Sequence, residues 1–228
     1  MRGIITIVIA GLGIVACSAA PPIEPRQSTG AAAPATAQAE RYVVNGDASD
    51  IELKIYRGGR LAALGHNHII SVADLSGEFY VSSDWQQTAG MVSFPVAALR
   101  IDEPARRDAA GPEFASEPSA KDIAGTQRNM LSERLLNGER FPTIGLAIAR
   151  ITRSDDAVVA TLLVTIREQT SSIEVPVKVT IDANRLTASG TTTLSQRELG
   201  LTPFSVMLGA LEVQDAIDVR FSVRAERP

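Results

Sequence analysis

Residues 173–181 read Ile-Glu-Val-Pro-Val-Lys-Val-Thr-Ile, and residues 217–224 read Ile-Asp-Val-Arg-Phe-Ser-Val-Arg. Apolar and polar side chains alternate strictly in both. Successive side chains of an extended chain point to opposite faces, so Ile173, Val175, Val177, Val179 and Ile181 share one face, opposite Glu174, Pro176, Lys178 and Thr180. The second stretch sorts the same way, with Ile217, Val219, Phe221 and Val223 on the apolar side. Each is a strand with one buried and one wet face. Pro176 has no N–H to give to a ladder, so it implies an edge or a bulge at that point.

The same period continues outward from these two segments. Ile51, Leu53 and Ile55 alternate with Glu52, Lys54 and Tyr56, and Gly58-Gly59 reads as a hairpin turn into residues 60–64. Residues 157–167 (AVVATLLVTIR) are apolar at nearly every position, as in a strand covered on both faces or one that contributes to a partner surface. A homodimer is therefore a candidate assembly. One segment departs from the pattern. In residues 119–137, Ile123, Gln127, Met130, Leu131 and Leu135 fall at helical spacing, Ser119 and Asp122 resemble a capping box, and Gly138 lies beyond the end. Short strands at roughly ten-residue spacing argue for a barrel or sandwich, and closure frees a long antiparallel sheet of its edges. The expected fold is all-β: a single antiparallel barrel of about eight strands with one short helix.

A chain of 228 residues, 45% hydrophobic and 21% charged, supports one well-buried core. The net charge is −4, and Lys and Arg are scattered without runs, so the electrostatic footprint of a nucleic-acid binder is absent. The N-terminus carries a different signal. Arg2 precedes an uncharged apolar run, residues 4–15 (IITIVIAGLGIV), too short for the roughly 18 residues of a bilayer-spanning helix and suited to a signal peptide. Ile14-Val15-Ala16-Cys17 follows and resembles the lipobox of bacterial lipoproteins, in which the cysteine thiolate takes a diacylglyceryl group. Cys17 is the only cysteine, so no disulfide supports the domain. Ser18 follows where Asp would resemble the inner-membrane retention signal, which favours the periplasmic face of the outer membrane. Residues 18–40 are rich in Ala, Pro, Ser, Thr and Gln, the composition of a disordered tether. The expected organisation is a lipoprotein signal peptide over 1–16, a lipidated cysteine and tether over 17–40, and a β-barrel domain over 41–228.

Four stretches in collinear order resemble the YceI-like family of exported lipid-binding domains. They are residues 42–55 (YVVNGDASDIELKI), 131–144 (LSERLLNGERFPTI), 163–177 (LVTIREQTSSIEVPV) and 194–221. Leu136 and Phe141-Pro142-Thr143-Ile144 occupy the places of the family's Leu and strand-opening Phe-Pro or Tyr-Pro. Gln196-Arg197-Glu198-Leu199-Gly200 resembles its Arg-x-x-Phe-Gly segment, and residues 213–218 its Val-x-Asp-x-Ile or Val opening. The third stretch departs, with Glu168 where family members commonly carry a hairpin glycine. The resemblance implies a lipocalin-like barrel and a non-enzymatic role, binding an isoprenoid lipid, a quinone or a fatty-acid-like molecule. From the inward rows, Ile55, Val164, Val177 and Phe221 are the expected wall contacts. An eight-strand barrel holds one small ligand when its inward side chains are modest in size, and is otherwise filled.

Both histidines of the chain fall in Gly65-His66-Asn67-His68. Three readings are open. Residues i and i+2 of a strand share a side, so His66 and His68 suit one divalent metal ion in cis, with further ligands from Asp, Glu, water or a second protomer, which would make the protein a metal- or redox-associated accessory. Alternatively they hydrogen-bond around a turn in which Asn67 is left-handed. Or His66, Asn67 and His68 meet a ligand head group at the barrel mouth. A subset of YceI-like sequences carries a similar Gly-His-Asn-His segment. No nucleophile elbow, P-loop or dinucleotide fingerprint is present, so no catalytic residue is assigned.

Overall fold

The computed structural model describes residues 39–154 and 157–228. The expected signal peptide, Cys17 and the tether up to residue 38 lie outside the described residues. The first six strands are β1 (Glu40–Val44), β2 (Asp50–Gly58), β3 (His68–Val72), β4 (Ser76–Val81), β5 (Ala89–Pro95) and β6 (Leu99–Ile101). Two helices follow, α1 (Pro104–Ala109) and α2 (Ala120–Leu131). The chain then returns to strands: β7 (Thr143–Arg153), β8 (Val158–Ile166), β9 (Gln169–Pro176), β10 (Lys178–Asp182), β11 (Arg185–Ser195), β12 (Ser205–Val206) and β13 (Leu211–Glu226).

All pairings are antiparallel, and the strands form one sheet in the order β6-β3-β2-β13-β1-β4-β5-β7-β8-β9, with β11 on the other edge of β13 and β10 beyond it. The two ends of this order meet in the sequence read first. β9 is hydrogen-bonded to β8, and one residue after Pro176 the same extended chain continues as β10, hydrogen-bonded to β11. The Val177 N–H still bonds the Val158 carbonyl at 2.8 Å, and Pro176 marks the point of departure. A residue without an N–H suits a place where one ladder ends before the next begins. The wall thus curls on itself as a barrel whose seam is bridged by the chain rather than by a ladder. The thirteen strands among the described residues exceed the expected eight, in part because β9 and β10 are halves of one run and β6 and β12 are three- and two-residue pieces.

Alternation has the expected result in β13, where Ile217, Val223 and Ala225 are buried while Asp218, Arg220 and Arg224 are exposed. The apolar run of β8 is buried on one side only. Ala160, Val164 and Ile166 face the core, whereas Leu163 is exposed on the outer face, across β7 from exposed Met91. The helix of the sequence reading is α2, and its capping box is formed: Ser119 Oγ accepts from the Asp122 N–H, and Asp122 accepts from the Ser119 N–H at 3.0 Å. It ends earlier than expected. Ser132 is extended, and the N–H groups of Leu136 and Gly138 fold back to the carbonyls of Met130 and Leu131.

The expected hairpin at Gly58-Gly59 is a different structure. β2 ends at Gly58, the chain makes a 3-10 turn at Ala62–Leu64, and pairing resumes only at His68. Gly59 is left-handed (φ 85°) and lies so close to the loop before β13 that a Cβ there would sit 2.5 Å from the Ala210 carbonyl oxygen. The Leu61 N–H bonds that same carbonyl at 2.7 Å. The turn is shaped by a distant loop, which a local pattern does not reveal. At that loop Leu208 is left-handed (φ 55°) and fully exposed, a conformation that costs a residue with a Cβ about 1 kcal/mol or more. Leu208→Gly is therefore expected to raise stability by roughly 0.5–1 kcal/mol in urea melts, whereas Met130→Ala, which empties a buried site beneath α2, is expected to lower it by about 2–5 kcal/mol.

Candidate functional site: an apolar cavity and a histidine clasp

The barrel is filled at one end and hollow at the other. Under α2, Met130 and Leu136 join Phe94, Ile144, Leu199 and Leu201 in a packed cluster. Toward the β4–β5, β7–β8 and β10–β11 connections a cavity of about 180 Å³ remains. Its wall is built from the inward rows of β4, β5, β7, β8, β9, β10, β11 and β13 with Ile51 of β2, and it includes Val175, Val177 and Val179 from the run that bridges the seam. Among the described residues no wall side chain is charged. Thr88 and Thr192 supply the hydroxyls, and Thr88 Oγ1 already accepts the Ser82 N–H at 3.3 Å.

Trp85 stands at the hollow end, on the 3-10 turn Trp85–Gln87 between β4 and β5. Asp84 caps that turn by accepting from the Gln86 N–H at 3.0 Å. The Arg153 guanidinium, at the end of β7, lies 5.0 Å from the indole ring centre. The described chain also enters at this end, since Glu40 is paired with Val81.

Of the expected wall contacts, Val177 and Phe221 line the cavity. Ile55 and Val164 do not: both face inward but lie in or against the packed cluster at the filled end. Period two fixes which face a residue takes and says nothing of its height along the barrel. The aromatic wall residues Phe79 and Trp85 carried no signal in sequence beyond their being apolar.

The histidine motif is elsewhere. His66, Asn67 and His68 stand outside the cavity wall, in a polar clasp between the start of β3 and the segment 102–116. His68 Nδ1 is 2.6 Å from Asp102 Oδ2, and its Nε2 is 3.4 Å from Thr126 Oγ1 on α2. Asp102 Oδ1 accepts from the Ile69 N–H at 2.9 Å and from Arg107 at 2.6 Å. Arg107 is itself buried and donates further to the carbonyls of Asn67, Phe114 and Ser116. Asn67 Oδ1 accepts the Arg57 N–H at 3.0 Å, and its amide donates to the Glu113 carbonyl at 3.0 Å. His66 Nδ1 lies 3.5 Å from Ser116 Oγ. The left-handed residue expected at Asn67 is instead Asp102 (φ 55°). Among the described residues no three His, Cys, Asp or Glu side chains are grouped to hold a metal ion, and the two imidazole centres are 6.3 Å apart. Asp102, the partner that organises this cluster, carries no local sequence signal, because it lies 34 residues from His68.

Residues 42–225 match the YceI-like domain. The chain belongs to the YceI-like family. Among solved structures, the YceI-like fold seen here is similar to Burkholderia cenocepacia BcnA, at 11% identity over 79% of this chain and 98% of that one, with a TM-score of 0.58. It is also similar to a polyisoprenoid binding domain from Saccharophagus degradans implicated in plant cell wall breakdown (10% identity, 82% and 98% coverage, TM-score 0.54). A Campylobacter jejuni YceI protein aligns at 11% identity over 70% of this chain and 84% of that one, with a TM-score of 0.50. No curated protein matches the sequence at a significant level.

In the clasp, burial would raise the Asp102 carboxyl, but hydrogen bonds from His68, the Ile69 N–H and Arg107 outweigh it and hold Asp102 below the usual carboxylate range. A depressed folded-state pKa contributes stability that is present above the unfolded value, near 3.9, and is lost as pH falls through the folded value. Asp102→Ala strands the Arg107 charge and is expected to cost about 3–5 kcal/mol at pH 7. Urea melts of both proteins between pH 7 and pH 2.5 are expected to show a gap that is constant above about pH 5 and narrows below the unfolded pKa near 4. An equal gap at pH 7 and pH 2.5 would show that the carboxylate charge plays no part.

Proposed function

We propose that this protein is an exported, lipid-anchored binding protein that holds the hydrocarbon part of an isoprenoid- or fatty-acid-like molecule inside its barrel, as a carrier or reservoir without catalysis. The observation that carries this reading is the cavity: about 180 Å³, bounded almost wholly by aliphatic and aromatic carbon, at the end of an otherwise filled barrel. An unpaired ionised carboxylate or phosphate in such surroundings costs many kcal/mol, whereas each buried methylene gains about 0.8 kcal/mol. Hydrocarbon enters and a charged head group stays outside.

The volume also bounds the ligand. Cavities that enclose drug-sized molecules span about 300–1,000 Å³, and one near 150 Å³ takes a benzene-sized guest. A long prenyl chain therefore inserts one segment and leaves the remainder at the hollow end. The Saccharophagus degradans domain, described as polyisoprenoid binding, lends this reading support through shared fold. The lipobox at Cys17 supports attachment to the periplasmic face of the outer membrane, and the chain N-terminal to the barrel joins it at the hollow end, beside Val81.

Two measurements test the two halves of the proposal. Mass spectrometry of organic extracts from purified protein is expected to find an isoprenoid, quinone or acyl lipid near one per chain, and Val175→Asp, which puts a carboxylate into the wall, is expected to lose it. Labelled palmitate is expected to enter the wild type and not Cys17→Ala. An extract with no such compound, together with failure to load one, rejects the binding role; label in both proteins rejects the anchor.

A further inference from the structure

Among the described residues three aromatic side chains line the cavity, and two of them, Phe79 and Phe221, are placed alike. Phe79 on β4 is directly opposite Gly90 on β5, and Phe221 on β13 is directly opposite Gly190 on β11. In each pair the ring folds across the ladder into the space that a Cβ of the glycine would take. A Cβ on Gly190 would lie 2.9 Å from Phe221 Cζ and 3.1 Å from Cε1, and one on Gly90 would overlap Phe79 Cδ1. Neither glycine has a left-handed backbone, so conformation does not call for glycine at either position. The ring does.

A phenylalanine on the inner face of a small barrel otherwise extends toward the axis, because strand side chains stand roughly perpendicular to the sheet. Laid over a glycine, the ring becomes part of the wall and the axis stays open. We propose that these two phenylalanine–glycine pairs set the size of the hydrocarbon segment the cavity admits, and so act as specificity-determining residues. This rests on the proposed binding role. Gly90→Ala forces the Phe79 ring toward the axis and shortens the segment that fits. Phe79→Leu and Phe221→Leu remove ring volume and lengthen it. Gly190 has a second constraint, since its Cβ would also lie 2.5 Å from the Pro176 carbonyl oxygen at the seam, so Gly90 is the cleaner site to change.

The chain carries a single tryptophan, and Trp85 lines this cavity, so its emission reports occupancy directly. The experiment titrates full-length protein, stripped of lipid, with straight-chain 1-alkanols from hexanol to hexadecanol. For the wild type, affinity is expected to rise roughly fourfold per methylene up to a chain length at which the cavity is full, and then to level off. That break is expected to move to longer chains by at least one carbon in each Phe→Leu variant, and to shorter chains in Gly90→Ala. Breaks at one chain length in wild type and both Phe→Leu variants overturn the proposal and leave the binding role standing. Trp85 emission that responds to no alkanol in the wild type overturns the binding role and the proposal together. The Phe→Leu variants keep the test decisive if Gly90→Ala fails to fold, because they remove bulk and add none.

Discussion

β13 is the strand from which the rest of the sheet is built, and the fold depends on its being long and paired on both edges. Residues 216–226 ladder with β11 on one side, while on the other residues 212–222 ladder with β2 and residues 225–226 with β1. At about 3.3 Å per residue its sixteen residues span roughly 50 Å, more than either partner on the second edge. One strand therefore directs two sets of neighbours: β2, β3 and β6 leave the stretch up to residue 222, and β1, β4 and β5 leave its end. The register between Val213 and Ile217 is irregular against β2, as at a bulge.

The outer face of β2 is covered by the segment 102–116. Glu52 belongs to the row read from sequence as wet, yet it is buried, held by Arg106 at 3.2 Å and by Arg220 at 3.3 Å. Arg106 also reaches Asp50 and Glu103, and the three carboxylates hold its guanidinium more firmly charged than usual. Tyr56, on the same row, is pushed up to about 12 by burial and by its hydrogen bond to Asp218. The histidine clasp is the far end of this cover. Asp102 and Arg107 form the buried ion pair that fixes the segment, and His68, Asn67 and His66 tie it to β3 and α2. A buried charged pair of this kind contributes through the penalty for breaking it more than through net stabilisation.

How much of this was legible in sequence follows from the range of each interaction. Alternation in residues 173–181 and 217–224 has its cause in each residue and its second neighbour, so the inward rows, the outward proline and the Ser119–Asp122 cap could be read directly. The wetness of the Glu52 row could not, because its cover comes from an arginine 54 positions away. The shape of the Gly59 turn was hidden for the same reason, its partner being Ala210. At the site, sequence identified the face but not the height. Val177 and Phe221 line the cavity, Ile55 and Val164 lie below it, and the four are alike in pattern. Gly90 and Gly190 look like ordinary strand weakeners until the rings across the ladder are seen.

The hollow end is itself an argument from energetics. Residual cavity volume costs about 24 cal/mol per Å³, so roughly 180 Å³ left empty costs about 4 kcal/mol. Domains of this size are stable by only about 5–15 kcal/mol, and this one has a single cysteine and so no internal disulfide to offset the loss. Larger aliphatic side chains at Ala160 or Ala188 would occupy the void with no change of fold, since both face it from regular strands. Instead, both positions keep alanine, two rings are laid flat beside glycines, and the void lies at one end rather than being dispersed as packing defects. A cost of that size, concentrated in one place and bordered by hydrocarbon, is recovered when an apolar guest fills the space.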